Sequence, residues 1–171
     1  MNWRELIKTE IKTAYSTTNR LIDLVDPGSL DWKPATGSNW MTMSQLLQHL
    51  TDACGAPMRG FVTGDWEMPP DLELEPEDML PTAAKMPHAN SVDEVKALLA
   101  KDEQMALDML AQCTDHELAA KMVSAPWSPR EQTLGYQLLQ MVVHLASHKA
   151  QLFYYLKLMG RPVNTEHLWG G

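Results

Sequence analysis

The chain has 171 residues, of which 44% are apolar and 21% charged, and its net charge is −8. This length and composition suit one soluble domain over residues 1–171, and the acidic balance argues against nucleic acid as a partner. No apolar run is long enough to cross a bilayer, so no membrane partner is expected. The first residues, MNWRELIKTEIKTAYS, are charged and lack the apolar core of a signal peptide, which favours a cytoplasmic location.

Two helices are predicted in the first third of the chain. The first covers roughly residues 2–25, because apolar residues at alternating steps of four and three give it one buried face. The motif DPGS then breaks this helix. Thr42 caps the second helix, with Gln45 reaching back in a capping box. The second helix covers about residues 43–56 and stops near Pro57.

Residues 59–90 are predicted to be irregular. The segment GDWEMPPDLELEPEDMLPTAAKMPHAN is acidic and rich in proline, which makes it poor core material. A structureless loop of this length is usually functional or mobile. Two interpretations stay open: the loop forms one wall of a ligand pocket, with Phe61 or Trp66 as its apolar surface, or it simply covers exposed core.

Two further helices are predicted in the second half of the chain. Ser91 caps the third, which continues to about Cys113. The fourth has two candidate starts, at Ser128 and at Thr133, and Gly160 ends it. Four long helices, no convincing strand and no internal repeat indicate an all-α protein that folds as a four-helix bundle.

His144 and His148 stand four residues apart within the apolar fourth helix. Residues at this spacing lie about 40° apart around the helix axis and about 6 Å apart along it. Two imidazoles placed in this way can converge on one point beside the helix, as in the zinc-binding HExxH motif. A histidine on a buried stripe is more often a hydrogen-bonded core residue, and the pair alone leaves that alternative open.

His49 lies on the apolar stripe of the second helix, next to Leu50. A buried imidazole that loses its hydrogen bonds to water costs roughly 1–3 kcal/mol. Because one divalent metal ion would satisfy three such residues, the sequence predicts that His49, His144 and His148 bind a metal together. The remaining histidines are expected to be solvated loop residues: His88, His116 and His167.

At this point the sequence resembles the DinB-like superfamily, which includes thiol-dependent S-transferases and metal-dependent hydrolases. The resemblance rests on LLQHL in the second helix and on HLASHKAQLFYYLKLMGRPV in the fourth, together with DWKPATGSNW before the second helix. One histidine followed later by HxxxH, a glutamine, a Leu/Tyr-rich turn and a final GxP is the pattern of this family. Ala150 departs from it, since many relatives carry glycine there.

The resemblance implies a four-helix bundle in up-down-down-up order. It also implies a divalent metal ion, often nickel, zinc or iron, bound by His49, His144 and His148. Many relatives are dimers, so a homodimer is expected. Imidazole sites accept several metals, and the sequence does not select among them.

Three imidazoles leave at least one coordination position open, as in catalytic metal sites. Metal-bound water would serve a hydrolase. A metal-bound low-molecular-weight thiol would serve an S-transferase that acts on a small electrophilic substrate. A non-catalytic, stress-linked metal-binding interaction protein is the alternative. No catalytic serine or cysteine is evident, and Cys54 is interpreted as core packing.

Four residues are candidates for supporting roles around the metal. Asp52 and Gln151 each follow a predicted ligand by three residues and could accept a hydrogen bond from its ring. A solvated acid and a bundle-edge amide are the alternatives. Thr18 and Tyr155 are polar positions in apolar stripes that could line the pocket, or their hydroxyls could simply bond to the backbone.

Overall fold

Helices dominate the part of the chain that the computed structural model describes, residues 2–67 and 82–170. Short 3-10 turns cover Pro27–Ser29 and Ala83–Lys85. In chain order the elements are α1 (Trp3–Ile22), α2 (Met43–Leu50), α3 (Gly55–Thr63), α4 (Val92–Ala111), α5 (Asp115–Ala120), β1 (Met122–Ala125), β2 (Ser128–Thr133), α6 (Leu134–Leu158) and α7 (Thr165–Trp169).

The three longest helices follow the apolar periodicity that predicted them. Asn2 caps α1 by accepting from Glu5 N, and Ser91 caps α4 by accepting from Glu94 N. Thr133, the second candidate start, is the residue before α6. Gly160 follows the end of α6 with φ of +76°, a left-handed conformation that glycine adopts without strain.

The second predicted helix is two helices, so its predicted end near Pro57 is wrong. The capping box of Thr42 and Gln45 is present and opens α2, but α2 ends at Leu50. A short link follows, and α3 then carries Pro57 in its first turn. Proline is tolerated there because the first N–H groups of a helix have no partner within it.

The N-terminus of α3 is capped from another helix. Cys54, the residue before α3, gives it no side-chain capping bond within the described chain. Instead, the backbone N–H groups of Gly55 and Ala56 donate to the carboxylate of Asp102 on α4, at 3.0 and 2.9 Å. A negative charge at this end also complements the helix dipole.

The antiparallel hairpin of β1 and β2 contradicts the prediction that the chain has no strand. Met122 pairs with Thr133, and Ala125 pairs with Ser128 across the turn. The strands carry a proline and several charged or polar residues, most of them exposed or half-buried, so they lack the apolar alternation that marks a strand. Pro129 is compatible with a two-stranded sheet because both of its strands are edges. Helices α5 and α7 are also short elements that were not predicted.

The packing of α2 against α6 positions the candidate site. Helix α1 packs against α4 and α6, and α3 also packs against α4 and α6. The interior is formed by the apolar stripes of these helices. Fully buried members include Ile7, Ile11, Leu46, Leu50, Val95, Leu138, Leu145 and Leu152.

Among the described helices, none combines the length and apolar character needed to cross a membrane. Residues 68–81 of the predicted 59–90 loop lie outside the described residues. At its start the loop prediction is wrong, because α3 continues to Thr63.

Candidate metal centre

Three histidines from two helices meet at one point. His49 lies in the last turn of α2, and His144 and His148 lie one turn apart in α6. The Nε2 atom of His49 is 3.2 Å from that of His144 and 3.1 Å from that of His148. The Nε2 atoms of His144 and His148 are 3.1 Å apart. All three residues that the sequence predicts as ligands are therefore brought together.

Oxygen atoms behind the rings fix their tautomers. His144 Nδ1 lies 2.9 Å from the carbonyl oxygen of Ala53, in the link between α2 and α3. A carbonyl oxygen only accepts, so His144 Nδ1 carries the proton and its Nε2 keeps its lone pair. His49 Nδ1 lies 3.5 Å from an oxygen of Asp52, a longer contact in which the negative carboxylate attracts the N–H side of the ring.

Gln151 does the same for His148. The Tyr155 hydroxyl donates to the carbonyl oxygen of Met41 at 2.9 Å, so it accepts from the Gln151 amide nitrogen at 3.2 Å. This contact orients the Gln151 amide and leaves its oxygen 3.1 Å from His148 Nδ1. Gln151 and Asp52 each lie beside the Nδ1 atom of a different histidine.

The three Nε2 lone pairs face one another across about 3.1 Å and repel one another. A positive ion between them would offset this repulsion. A triangle with sides of 3.1–3.2 Å has its corners about 1.8 Å from its centre, slightly less than the 2.0–2.1 Å of a zinc–imidazole bond. An ion at bonding distance from all three nitrogens therefore fits close to this centre. Imidazole nitrogen is a good ligand for zinc, nickel, iron and copper.

Burial keeps two of the rings in the neutral form that binds metals. It lowers the pKa of His148 to about 4, with a further contribution from His49. Burial also lowers the pKa of His144. Metal ligation requires a free lone pair, so these two histidines need not lose a proton at neutral pH before they bind an ion.

The donor set is open to a further ligand. Among the described residues, the His, Cys, Asp and Glu side chains grouped closely enough to hold this ion are the three histidines. The side chain of His49 keeps 21% of its surface exposed, so the site is accessible from solvent. Three protein ligands with free coordination positions are the arrangement of catalytic rather than structural metal sites.

The two predicted pocket residues have different surroundings. Thr18 is fully buried in α1, and its hydroxyl donates to the Ala14 carbonyl oxygen at 2.7 Å, as expected for ordinary helix packing. Tyr155 is also buried, but it connects to the site through Gln151. Trp32 and Trp40 pack edge-on against the Tyr155 ring.

Phe61 and Trp66, the predicted apolar wall of a ligand pocket, form an aromatic cluster with Trp127 of the hairpin. The ring centroids of Phe61 and Trp66 are 4.9 Å apart, and those of Trp66 and Trp127 are 5.3 Å apart. A pocket-lining role for the loop, Phe61 and Trp66 included, stays a prediction. The other histidines lie apart from the site: His88 and His116 are exposed, and His167 contacts Asn164 beside α7.

Comparison with known proteins assigns the family. None of the curated proteins compared with the chain matches it. Two solved structures are similar over almost the whole chain, each at 18% sequence identity. A DinB-like protein of Bacillus subtilis aligns with a TM-score of 0.64, covering 91% of this chain and 92% of its own. A protein of Exiguobacterium sibiricum assigned to the DinB family gives a TM-score of 0.66 and covers 98% of both chains.

These structures establish likeness of fold. The model of the DinB superfamily matches residues 10–152, which include all three histidines of the candidate metal centre. The chain belongs to the DinB superfamily.

Proposed function

We propose that the protein binds one divalent metal ion through His49, His144 and His148 and uses it to transfer a thiol to, or to hydrolyse, a small electrophilic substrate. The observation that carries this proposal is the convergence of three Nε2 lone pairs within 3.2 Å. When bound, a zinc, nickel or iron ion supplies Lewis acidity and lowers the pKa of a coordinated water or thiol.

The protein's own residues hold and orient the site in this proposal. Asp52, Gln151 and the Ala53 carbonyl keep the three Nε2 atoms directed inward, as oxygens behind ligating histidines do in metal enzymes. The three histidines would hold the ion from the protein side, and the partly exposed side next to His49 would admit the substrate.

The thiol in an S-transfer reaction would come from a small molecule. Cys54 is fully buried, and burial raises the pKa of its thiol far above neutrality. Burial also raises the pKa of Cys113. Neither is suited to act as the nucleophile, because the thiolate is the reactive form. This favours a low-molecular-weight thiol as co-substrate.

A non-catalytic, stress-linked metal-binding protein is the second candidate. A fourth protein ligand that closed the coordination sphere would favour it, because structural metal sites have no free position. The open donor set of the described residues favours the catalytic candidate.

Activity assays on metal-loaded protein separate these candidates. We expect turnover with at least one pairing of a low-molecular-weight thiol and an electrophile, or hydrolysis of an activated ester, and we expect chelation to abolish it. The His144→Ala variant removes one ligand and leaves the rest of α6 intact, so we expect it to lose this activity. Full activity in that variant would contradict the proposal. Metal binding without turnover across the panel would favour the non-catalytic candidate.

We also propose that the chain forms a four-helix bundle in up-down-down-up order and assembles as a homodimer through α6. Four large apolar side chains lie on one exposed face of this helix. They are Tyr136, Val143, Tyr154 and Leu158, with 43–65% of their surface exposed. Their spacing places them within about 60° around the helix axis. Two-fold pairing with a second copy would cover this face.

Light scattering at micromolar concentration tests the dimer. We expect a mass of twice the 19.3 kDa of the chain, and a monomer for Tyr154→Glu, which places a charge in the middle of the exposed face. Glu131→Gln, at an exposed position of β2, serves as the surface control. A monomeric wild-type protein would contradict the proposal.

A further inference from the structure

The buried carboxylate of Asp102 lies on α4 within a stripe of apolar residues, and only 4% of its surface is exposed. One of its oxygens accepts from the Tyr15 hydroxyl at 2.6 Å and from Gly55 N at 3.0 Å. The other accepts from Ala56 N at 2.9 Å. Burial raises the pKa of Asp102, and these three hydrogen bonds oppose the rise because they stabilise the charged form.

The Asp102 carboxylate holds the start of α3. This start lies two residues after Ala53, whose carbonyl oxygen contacts a histidine of the candidate metal centre. The backbone carbonyl of Ala53 accepts the hydrogen bond that fixes the His144 ring. The backbone N–H of Gly55, two residues further along, donates to Asp102. Two residues of chain have few conformations, so fixing Gly55 also restricts the position of the Ala53 carbonyl.

The two bonds to Asp102 satisfy the N–H groups that open α3. The Cys54 side chain provides no capping bond to α3 in the described chain, and Pro57 has no N–H to donate. Cys54 itself is fully buried, its thiol lies beside the Tyr15 hydroxyl, and its carbonyl accepts from Met58 N. At the α3 end of the link, the backbone N–H groups are therefore held by Asp102.

Gly55 permits this close approach. A Cβ atom at Gly55 would lie 2.6 Å from a carboxylate oxygen of Asp102 and closer still to its carbonyl oxygen. The absence of a side chain at this position lets the N-terminus of α3 sit directly on α4. The hydrogen bonds and the close contact together make a rigid junction between α4 and the link that carries Ala53.

We propose that Asp102 is a positioning residue for the metal centre. It fixes the link between α2 and α3 so that the Ala53 carbonyl holds the His144 ring with Nε2 directed at the other two ligands. This inference rests on the proposed metal-binding function. Asp102 lies on α4, which carries none of the three histidines. In this role it controls the tautomer and orientation of His144 without being a ligand itself.

The Asp102→Asn variant tests the proposal at nearly constant volume. Its amide has one oxygen in place of two, and its NH₂ group faces donors, so at least one backbone bond is lost. We expect Co²⁺ affinity, measured from the visible absorption of the bound ion, to fall by about 10–100-fold, the usual effect of losing support behind a ligand. In metal-free protein, we expect the imidazole ¹⁵N signals of His144 to shift away from the pure Nδ1–H tautomer.

Two control variants separate positioning from a general loss of stability. Leu110→Ala removes buried apolar atoms from α4 two turns further on, and we expect its Co²⁺ affinity and its His144 signals to match the wild type. Tyr15→Phe removes one donor to Asp102 but leaves both backbone bonds, and we expect the same result. Wild-type affinity and an unchanged His144 tautomer in Asp102→Asn would overturn the proposal. So would equal losses of affinity in Leu110→Ala.

Hydrogen exchange on the wild-type protein gives a test that does not depend on a variant folding. If the junction and the metal centre are coupled, Co²⁺ loading slows exchange of the Gly55 and Ala56 amides more than exchange of the Leu110 amide. Uniform slowing, or none at Gly55 and Ala56, contradicts the proposal. If the wild type takes up no Co²⁺, the proposed function fails, and the positioning role is then decided by the His144 signals of metal-free protein.

Discussion

We expect the His148→Ala variant to lose stoichiometric metal binding and, with it, any stability that a bound metal contributes. A ligand at a thousandfold excess over its Kd stabilises the folded state by about 4 kcal/mol. In a chain of this size that corresponds to a Tm rise of roughly 8–16 °C. We expect this rise in the wild type on adding Zn²⁺ to metal-free protein, and little or none in His148→Ala. Elemental analysis and thermal unfolding with and without Zn²⁺ measure the two effects.

His116→Ala is the matched control for this prediction. His116 is exposed in α5 and lies apart from the candidate metal centre, so its loss leaves both metal content and the Zn²⁺-dependent Tm rise unchanged. Protein purified without a polyhistidine tag is required, because the tag itself binds metal. A His148→Ala variant that retains wild-type metal content would contradict the assignment of His148 as a ligand.

The Gly55→Ala variant is expected to lose about 3 kcal/mol of unfolding free energy. The added methyl group overlaps the Asp102 carbonyl and carboxylate oxygens, so α3 must move away from α4. Overpacking of this kind typically costs 1–3 kcal/mol, and displaced hydrogen bonds to a carboxylate add to the cost. Urea unfolding measures the change.

Gly28→Ala provides the comparison at an exposed turn. A Cβ atom there would lie 3.4 Å from an oxygen of Asp26, which is ordinary contact. We therefore expect no loss of stability in this variant, and the reduced freedom of the unfolded chain favours a small gain. Equal unfolding free energies for Gly55→Ala and the wild type would contradict the account of the junction between α3 and α4.

The long helices could be predicted because each has a regular apolar period and is flanked by residues typical of helix ends. Asn2, Ser91 and Thr133 each lie at the start of a helix, and Gly160 follows the last long one. The assignment to the DinB superfamily is confirmed by the family model. Both signals are local in sequence or are short motifs, so they can be read without knowledge of tertiary contacts.

The break between α2 and α3 could not be predicted, because its cause is tertiary. The sequence predicts a helix end near Pro57, but this residue lies in the first turn of α3, whose free N–H groups bond to Asp102. The hydrogen bond from Ala56 N to Asp102 spans 46 residues of sequence. The hairpin was missed for a different reason. Its strands lack apolar alternation, and Ser128 followed by proline imitates a helix start.

Some residues of the candidate metal centre could be predicted from the sequence, and others could not. The spacing of His144 and His148 and the apolar neighbours of His49 indicate a shared site from sequence alone. The Ala53 carbonyl cannot be identified in this way, because every residue has one. Asp102 did carry a signal, since it is an acid between Leu99 and Ala106 on the buried stripe of α4, but a sequence does not show what it contacts.

X-ray absorption at the zinc edge of Zn²⁺-loaded protein tests the central claim most directly. Imidazole rings give a multiple-scattering pattern from which their number around the metal is obtained. The account predicts three imidazoles at about 2.0–2.1 Å, with the remaining positions occupied by a light atom from solvent or buffer. A zinc ion bound without histidine scattering, or with sulfur from Cys54 or Cys113, would contradict the three-histidine site.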